Sequence, residues 1–283
     1  MSAIATATAP VTAASPDFTA IKARQRATWA SGNFAVVASR IVWPAEQLCE
    51  AAGLQAGWRV LDVATGSGNA ALGAARRGCV TTGVDYVPAL LDQARVRAKA
   101  ELLDVDFRDG DAENLPFADN SFDAVLSIYG VMFAPDHAKA ARELVRVCRP
   151  GGRIALACWP PEGFIGDTFK VVTRYAPAVV GLTPPVRWGD PGYQKDLFGD
   201  RVRSFTSNTR TLLFRFPSAE ANVEFFRTYY GPTLKLFESV GESGAAPLAA
   251  DLADLARRYD QNGDAGGPIA IRAEYLESVM IKA

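Results

Sequence analysis

From Trp58 to Trp159 the chain alternates short apolar runs with helical stretches, and that alternation leaves few folds open. Residues 60–64 are an apolar run, followed by a glycine-rich turn and a helical stretch over 69–77 that Gly78 would end. Residues 79–85 read as a second strand and 88–101 as a second helix, with Pro88 suited to a first helical turn. A third strand is expected over 104–108, a fourth over 124–128 and a fifth over 153–158, after the tight turn Pro150-Gly151-Gly152. Between the last two strands, 135–147 carries Ala140, Leu144 and Val147 at helical spacing. Apolar strands separated by helices make a parallel sheet with both faces covered. Right-handed crossovers then leave little choice of topology.

The flanks are less regular. Residues 1–16, rich in Ala and Thr, read as a disordered tail, without the basic start and continuous apolar core of a signal peptide. Residues 17–52 read as N-terminal cap helices, capped at Asp17 or Thr19, broken at Ser31-Gly32-Asn33 and restarted by Pro44. Downstream, 164–175 is expected to be helical, 179–199 loop-rich, 202–216 a strand and 270–282 a last strand. Helices over 219–240 and 248–261, split by 241–244, make a helical insertion of about 218–265 in a single domain spanning 53–283.

Composition excludes several partners. A formal net charge of −1 and a pI near 6.0 offer no general attraction to phosphate backbones, so nucleic acid is not expected. Four scattered cysteines without a CxxC pair argue against disulfides and zinc, and no metal is expected. No stretch approaches the ~18 apolar residues of a membrane span, so a cytoplasmic protein is expected. A homodimer is compatible with the sequence.

The chemistry-bearing segment is Asp62-Val63-Ala64-Thr65-Gly66-Ser67-Gly68-Asn69, between a strand and a helix. Gly66 and Gly68 let the backbone turn sharply and approach a ligand, with free helix N–H groups behind it. Asp62 inside the strand is costly unless it meets something polar, such as the cationic amino end of a ligand or a water network. Asp85 ends the second strand, where a carboxylate can accept both ribose hydroxyls. Asp111, after the third strand, could accept from an adenine amino group. Each acid alone also fits a solvated loop; the three together at one sheet edge fit that reading poorly.

Here the chain resembles a known family. The run 60–68 is similar to motif I of class I S-adenosylmethionine-dependent methyltransferases, closest to the ubiquinone/menaquinone C-methyltransferase-like (methyltransferase type 11) branch. Gly83-Val84-Asp85, residues 110–117, Ser121-Phe122-Asp123 and residues 144–153 extend the match in order. The resemblance implies a Rossmann-like, doubly wound, seven-stranded, mostly parallel sheet with helical cap insertions. It implies S-adenosyl-L-methionine as cofactor, with S-adenosyl-L-homocysteine as product. Ala64, Gly66 and Gly68 would line its methionine part, Asp85 would hold the ribose, Tyr86 would lie against the adenine, and Asp111 with Ala112 would contact the adenine edge; Asp62 and Thr65 are also expected to bind the cofactor. Ser127 and Ile128 would meet the amino acid end and the methyl group. One departure is Ala64, where the commonest motif has glycine. Trp29 and Phe34 would close over the cofactor, or else pack an N-terminal helix.

Methyl transfer from a sulfonium is an in-line displacement with a neutral leaving group, so alignment and exclusion of water matter most. No obligatory base is therefore expected. His137, the only histidine, and Tyr129 are the catalytic candidates, with a surface position as the plainer reading for His137. Tyr129 and Phe133 would shape the acceptor pocket, and Trp188, Tyr229 and Tyr230 are further acceptor candidates, or else core residues. The expected function is methylation of O, N or C of a small aromatic or apolar metabolite. A non-catalytic S-adenosylmethionine-binding protein is an alternative. A nicotinamide-dependent dehydrogenase would want a third glycine near position 71, where Ala71 stands.

Overall fold

A computed structural model describes residues 16–177, 179–263 and 267–283; the expected tail at 1–16 falls outside them except for Pro16. Among the described residues, seven strands form one sheet: β1 (Arg59–Val63), β2 (Val80–Asp85), β3 (Val105–Asp109), β4 (Phe122–Ile128), β5 (Cys148–Cys158), β6 (Val202–Phe216) and β7 (Ile269–Lys282). Their order is β3-β2-β1-β4-β5-β7-β6. The first five run parallel, and β7 is antiparallel to both β5 and β6. The chain thus builds the expected mostly parallel α/β sheet.

The central strand explains why this arrangement holds. Val60, Leu61 and Val63 of β1 are wholly buried, because helices cover both faces of the sheet. Each such side chain contributes roughly 1.5–3 kcal/mol by leaving water. The crossover helices are α4 (Asn69–Arg76), α5 (Pro88–Ala100) and α6 (His137–Val147). On α6 the stripe Ala140, Ala141 and Leu144 is wholly buried, while Asp136 caps the N-terminus by accepting from the Lys139 N–H at 2.9 Å.

The cap comes from two separated parts of the chain. The first is α1 (Phe18–Trp29), α2 (Phe34–Ala38) and α3 (Val42–Ala51). Asp17 caps α1 by accepting from the N–H groups of Thr19 and Ala20. The second comprises α7 (Gly163–Tyr175) after β5, and α9 (Ala219–Tyr229) with α10 (Gly231–Arg258) between β6 and β7. α1 packs on α10, α2 on α9, and α7 on α10.

Three local expectations change. The stretch 179–199 is not only loop: a 3₁₀ turn (Pro185–Gly189) and α8 (Pro191–Phe198) lie in it, with the Asp190 carboxylate capping α8. The helix expected over 219–240 breaks at Tyr230, where Pro232 opens the next helix. The expected split at 241–244 is a kink at Gly241, with φ 64°, inside α10. All four cysteines are buried and unpaired.

Candidate functional site

Parallel register brings the ends of β1, β2 and β4 side by side, with Val63 opposite Val84 and Asp62 opposite Leu126. The loops that leave these ends line one groove at the carboxyl edge of the sheet, as an open α/β sheet requires. Its floor includes Ala64, Thr65, Gly66 and Ser67, then Asp85 and Tyr86, Asp111 and Ala112, and Ile128 and Tyr129. Ala64 and Tyr129 hold left-handed backbones, φ 52° and 53°, which side chains rarely adopt outside sites over-determined by their surroundings. Ala64 thus makes a turn that favours glycine. Gly130 is needed beside it: a Cβ there would stand 2.5 Å from the Ala64 carbonyl oxygen.

The groove holds two buried carboxylates. Asp85 is 5% exposed; its Oδ2 accepts from the Gly66 N–H and its Oδ1 from the Val87 N–H, each at 2.9 Å. Burial raises its pKa to about 6 against the pull of those N–H groups. Asp62 Oδ2 accepts from Thr65 Oγ1 at 2.5 Å and from the Ala71 N–H at 2.9 Å. Burial, opposed by these bonds and reinforced by Asp85, lifts its pKa to about 7. Each carboxylate oxygen has two lone pairs, so both acids keep acceptor capacity toward the groove. Arg97 of α5 braces the loop from behind, donating to the Ser67 carbonyl at 2.6 Å and to Asn69 Oδ1 at 2.8 Å.

Helix α1 lies across the groove. Lys22, Gln25 and Trp29, at spacings of three and four, all line it. Lys22 Nζ sits 2.6 Å from Asp111 Oδ2 and 2.5 Å from Glu113 Oε2. Burial pulls its pKa down, but bonds to Asp111 and Glu113 outweigh that and raise it. Gln25 donates to the Phe133 carbonyl at 3.0 Å, and its Oε1 is buried without a partner. Neither Lys22 nor Gln25 was among the sequence candidates, although their shared helical face with Trp29 was the available signal.

A second cavity, about 210 Å³, opens beside the groove and is almost wholly apolar. Trp29, Phe34, Ile41, Tyr129 and Phe133 line both spaces. Tyr230 lines the cavity, against the Trp29 ring at 5.5 Å. Tyr129 is stacked on Trp159, with ring centroids 3.8 Å apart, and its buried hydroxyl has no partner. Burial holds that phenol well above its ordinary pKa, so it stays protonated.

Several sequence candidates lie elsewhere. His137 is neither on the surface nor at the groove: it is 4% exposed, with Nδ1 2.9 Å from the Tyr193 hydroxyl. Burial lowers its pKa to about 4, so it packs as a neutral ring beneath Trp188. Trp188 is wholly buried in the core beside Phe198 and lines neither space. Tyr229 packs on Phe225 and also lines neither. The Ser127 hydroxyl donates to the Val63 carbonyl at 2.7 Å and accepts from the Val131 N–H at 3.0 Å, which ties β4 to β1 instead of facing the groove. Gly68 stands below the floor as the N-cap of α4, where a Cβ would crowd Ala94 and Phe107 at 3.2 Å.

This sheet order, glycine turn and strand-end acid define a nucleotide-cofactor site of the Rossmann type. Residues 61–156 match the family described as "Methyltransferase domain". An uncharacterized protein of Mycobacterium tuberculosis (strain ATCC 25618 / H37Rv) is 41% identical over 248 residues, covering 86% of this chain and 90% of that protein. The demethylmenaquinone methyltransferase of Deinococcus radiodurans is 39% identical over 127 residues, 44% of this chain and 53% of that enzyme. The YcgJ protein from Bacillus subtilis shares the fold, with a TM-score of 0.57 at 21% identity, over 84% of this chain and 97% of that one. The chain belongs to the class I S-adenosylmethionine-dependent methyltransferases, and S-adenosylmethionine is its methyl donor. The residues present fit that cofactor: two buried carboxylates suit its hydroxyl and ammonium groups, and the unpaired Gln25 Oε1 awaits a donor.

Proposed function

We propose that this protein transfers a methyl group to a small aromatic or apolar metabolite in the cytoplasm. The observation that carries the reading is the apolar cavity continuous with the groove through Trp29, Phe34, Ile41, Tyr129 and Phe133. The bound cofactor supplies an activated methyl group on a sulfonium whose departure leaves a neutral thioether. The chain supplies the rest. Asp85 would accept from the ribose hydroxyls, with Tyr86 along the adenine and Asp111 and Ala112 at its edge. Asp62 would face the amino end, the backbone of Ala64, Thr65 and Gly66 would hold the methionine part, and Ile128 would meet the methyl group. Trp29 and Phe34 exclude water from above, which strengthens every polar contact beneath them. Tyr129, protonated at the junction, can orient an acceptor by hydrogen bonding but does not serve as a base.

The acceptor does not transfer from the demethylmenaquinone relative. Its 127 aligned residues cannot span a cavity whose lining runs from Trp29 to Leu252. Calorimetry should give micromolar binding of S-adenosylhomocysteine, and S-adenosylmethionine turnover should respond to a panel of aromatic acceptors and not to duplex DNA or RNA. Absence of heat with either cofactor form would refute the reading.

A further inference from the structure

The apolar cavity contains one polar feature that neither the fold nor the cofactor explains. Asn222 of α9 lines it, is 4% exposed, and has its amide Nδ2 buried without a hydrogen-bond partner among the described residues. An orphaned buried amide destabilises a folded protein by roughly 1–3 kcal/mol relative to a satisfied one. Here α9 places it among Val223, Phe226 and Leu236, where an apolar residue of similar volume would pack at no such loss.

Its position in the cavity is informative. Asn222 and Phe226 lie four apart on one face of α9, and Tyr230 is the residue that ends the helix. Tyr230 is at the Trp29 end, which also borders the cofactor groove; Asn222 borders the cavity alone. The stretch of α9 between them spans roughly 10 Å at ~1.5 Å per residue. Among the described residues that line the cavity, beside the hydroxyls of Thr168, Tyr230 and Thr233, two buried side-chain polar atoms lack a partner: the hydroxyl of Tyr129, which also borders the cofactor groove, and the amide of Asn222, which does not. Among the described residues, no Asp, Glu, Lys, Arg or His lines it.

We propose that Asn222 is a specificity determinant, and that the acceptor is a neutral, elongated apolar molecule with a hydrogen-bond-accepting oxygen at the end remote from the transferred methyl. The inference rests on the methyltransferase reading of the neighbouring groove. A donor that lacks a partner selects an acceptor atom, and an uncharged wall excludes an ionised ligand. Size agrees: an apolar void of about 150 Å³ accepts benzene, so 210 Å³ has room for a fused ring pair or a substituted ring.

The test uses 2-acetylnaphthalene and its oxygen-free counterpart 2-ethylnaphthalene, titrated by calorimetry into the whole protein saturated with S-adenosylhomocysteine. The ketone should bind about tenfold more tightly than the hydrocarbon, the value of one hydrogen bond to a buried donor. In Asn222→Leu that preference should vanish, hydrocarbon binding should persist, and the melting temperature of the free protein should stay level or rise. In Asn222→Val, a second variant without a donor, the ketone should bind no better than the hydrocarbon. Equal affinity in the unaltered protein overturns the proposal, as does a ketone preference that survives in Asn222→Val. These two readings suffice even if Asn222→Leu does not fold. Binding of S-adenosylhomocysteine with neither probe bound overturns this inference alone; failure of S-adenosylhomocysteine to bind overturns the function reading and this one with it.

Discussion

Asp62 shows how a residue can work for function against the stability of the free fold. Its carboxylate is 2% exposed, and burial lifts its pKa from 3.8 to about 7. The folded protein therefore keeps a proton that the unfolded chain releases between about pH 4 and pH 7. Stability from this group is complete below about pH 4 and is lost as pH rises through 7. Asp62→Asn removes the titration and keeps an oxygen for the Thr65 and Ala71 donors. The variant should be more stable than the unaltered protein at pH 8, by roughly 1–4 kcal/mol. The gain should shrink toward zero near pH 4.5, while affinity for S-adenosylmethionine drops. Melting curves at the two pH values check the sign, and an equal gain at both would refute it. His137 behaves in the opposite sense. Burial lowers its pKa to about 4, so its contribution is present above about pH 6.5 and is lost as pH falls through 4. As the only histidine, it gives one imidazole resonance in an NMR titration. The midpoint should lie near pH 4, and a midpoint near 6.5 would place the ring in solvent.

At the scale of elements, α1 is the part that lies across the cofactor groove. It is tied to the body by Lys22 with Asp111 and Glu113, and by Arg26, 3.1 Å from Asp109. The Arg26 pair is exposed and contributes little. The Lys22 pairs involve Glu113, whose side chain is 2% exposed, and are the stronger latch. Lys22→Met should speed amide exchange over 18–29 and raise the S-adenosylhomocysteine dissociation rate about fivefold, with the rest of the sheet unchanged. Unaltered exchange in hydrogen–deuterium measurements would show that packing, not charge, holds the helix down. Sequence legibility divides along the same lines. β6 spans Val202–Phe216, the bounds expected from its alternation, because a sheet strand prints a period of two. The floor of the groove was readable from Asp62 to Gly66 and at Asp85, since glycines and strand-end acids are local signals. α8 was missed although Asp190-Pro191 is a cap followed by a first-turn proline. Lys22 as a latch and Asn222 as a lone buried amide left no comparable mark. Their meaning depends on partners far along the chain, or on the lack of any. Trp188 and Tyr229 failed as acceptor candidates for the same reason, because an aromatic in a helix looks alike whether it fills a core or a pocket.

Across the whole molecule, the cofactor groove is made by the parallel half of the sheet, and the neighbouring cavity by the cap and the β5–β7 side. Among the described residues, five line both. That division separates methyl-donor binding from acceptor choice, so the two should be separable by substitution. Val223 is 6% exposed, lines the cavity from α9 and does not border the groove. Val223→Trp adds volume to a space of about 210 Å³ that exists before any ligand arrives, so it fills a void instead of displacing packed atoms. Overpacking in a closed core would destabilise by about 1–3 kcal/mol; here the melting temperature should hold or rise. The S-adenosylhomocysteine affinity should stay within about threefold, because Asp62, Asp85 and Lys22 are untouched. Turnover with any acceptor that supports it should fall by at least a hundredfold, because a molecule excluded from the cavity cannot align with the methyl group. Full turnover in this variant would mean that the acceptor reaches the sulfonium by another route, and that the apolar cavity serves the fold alone.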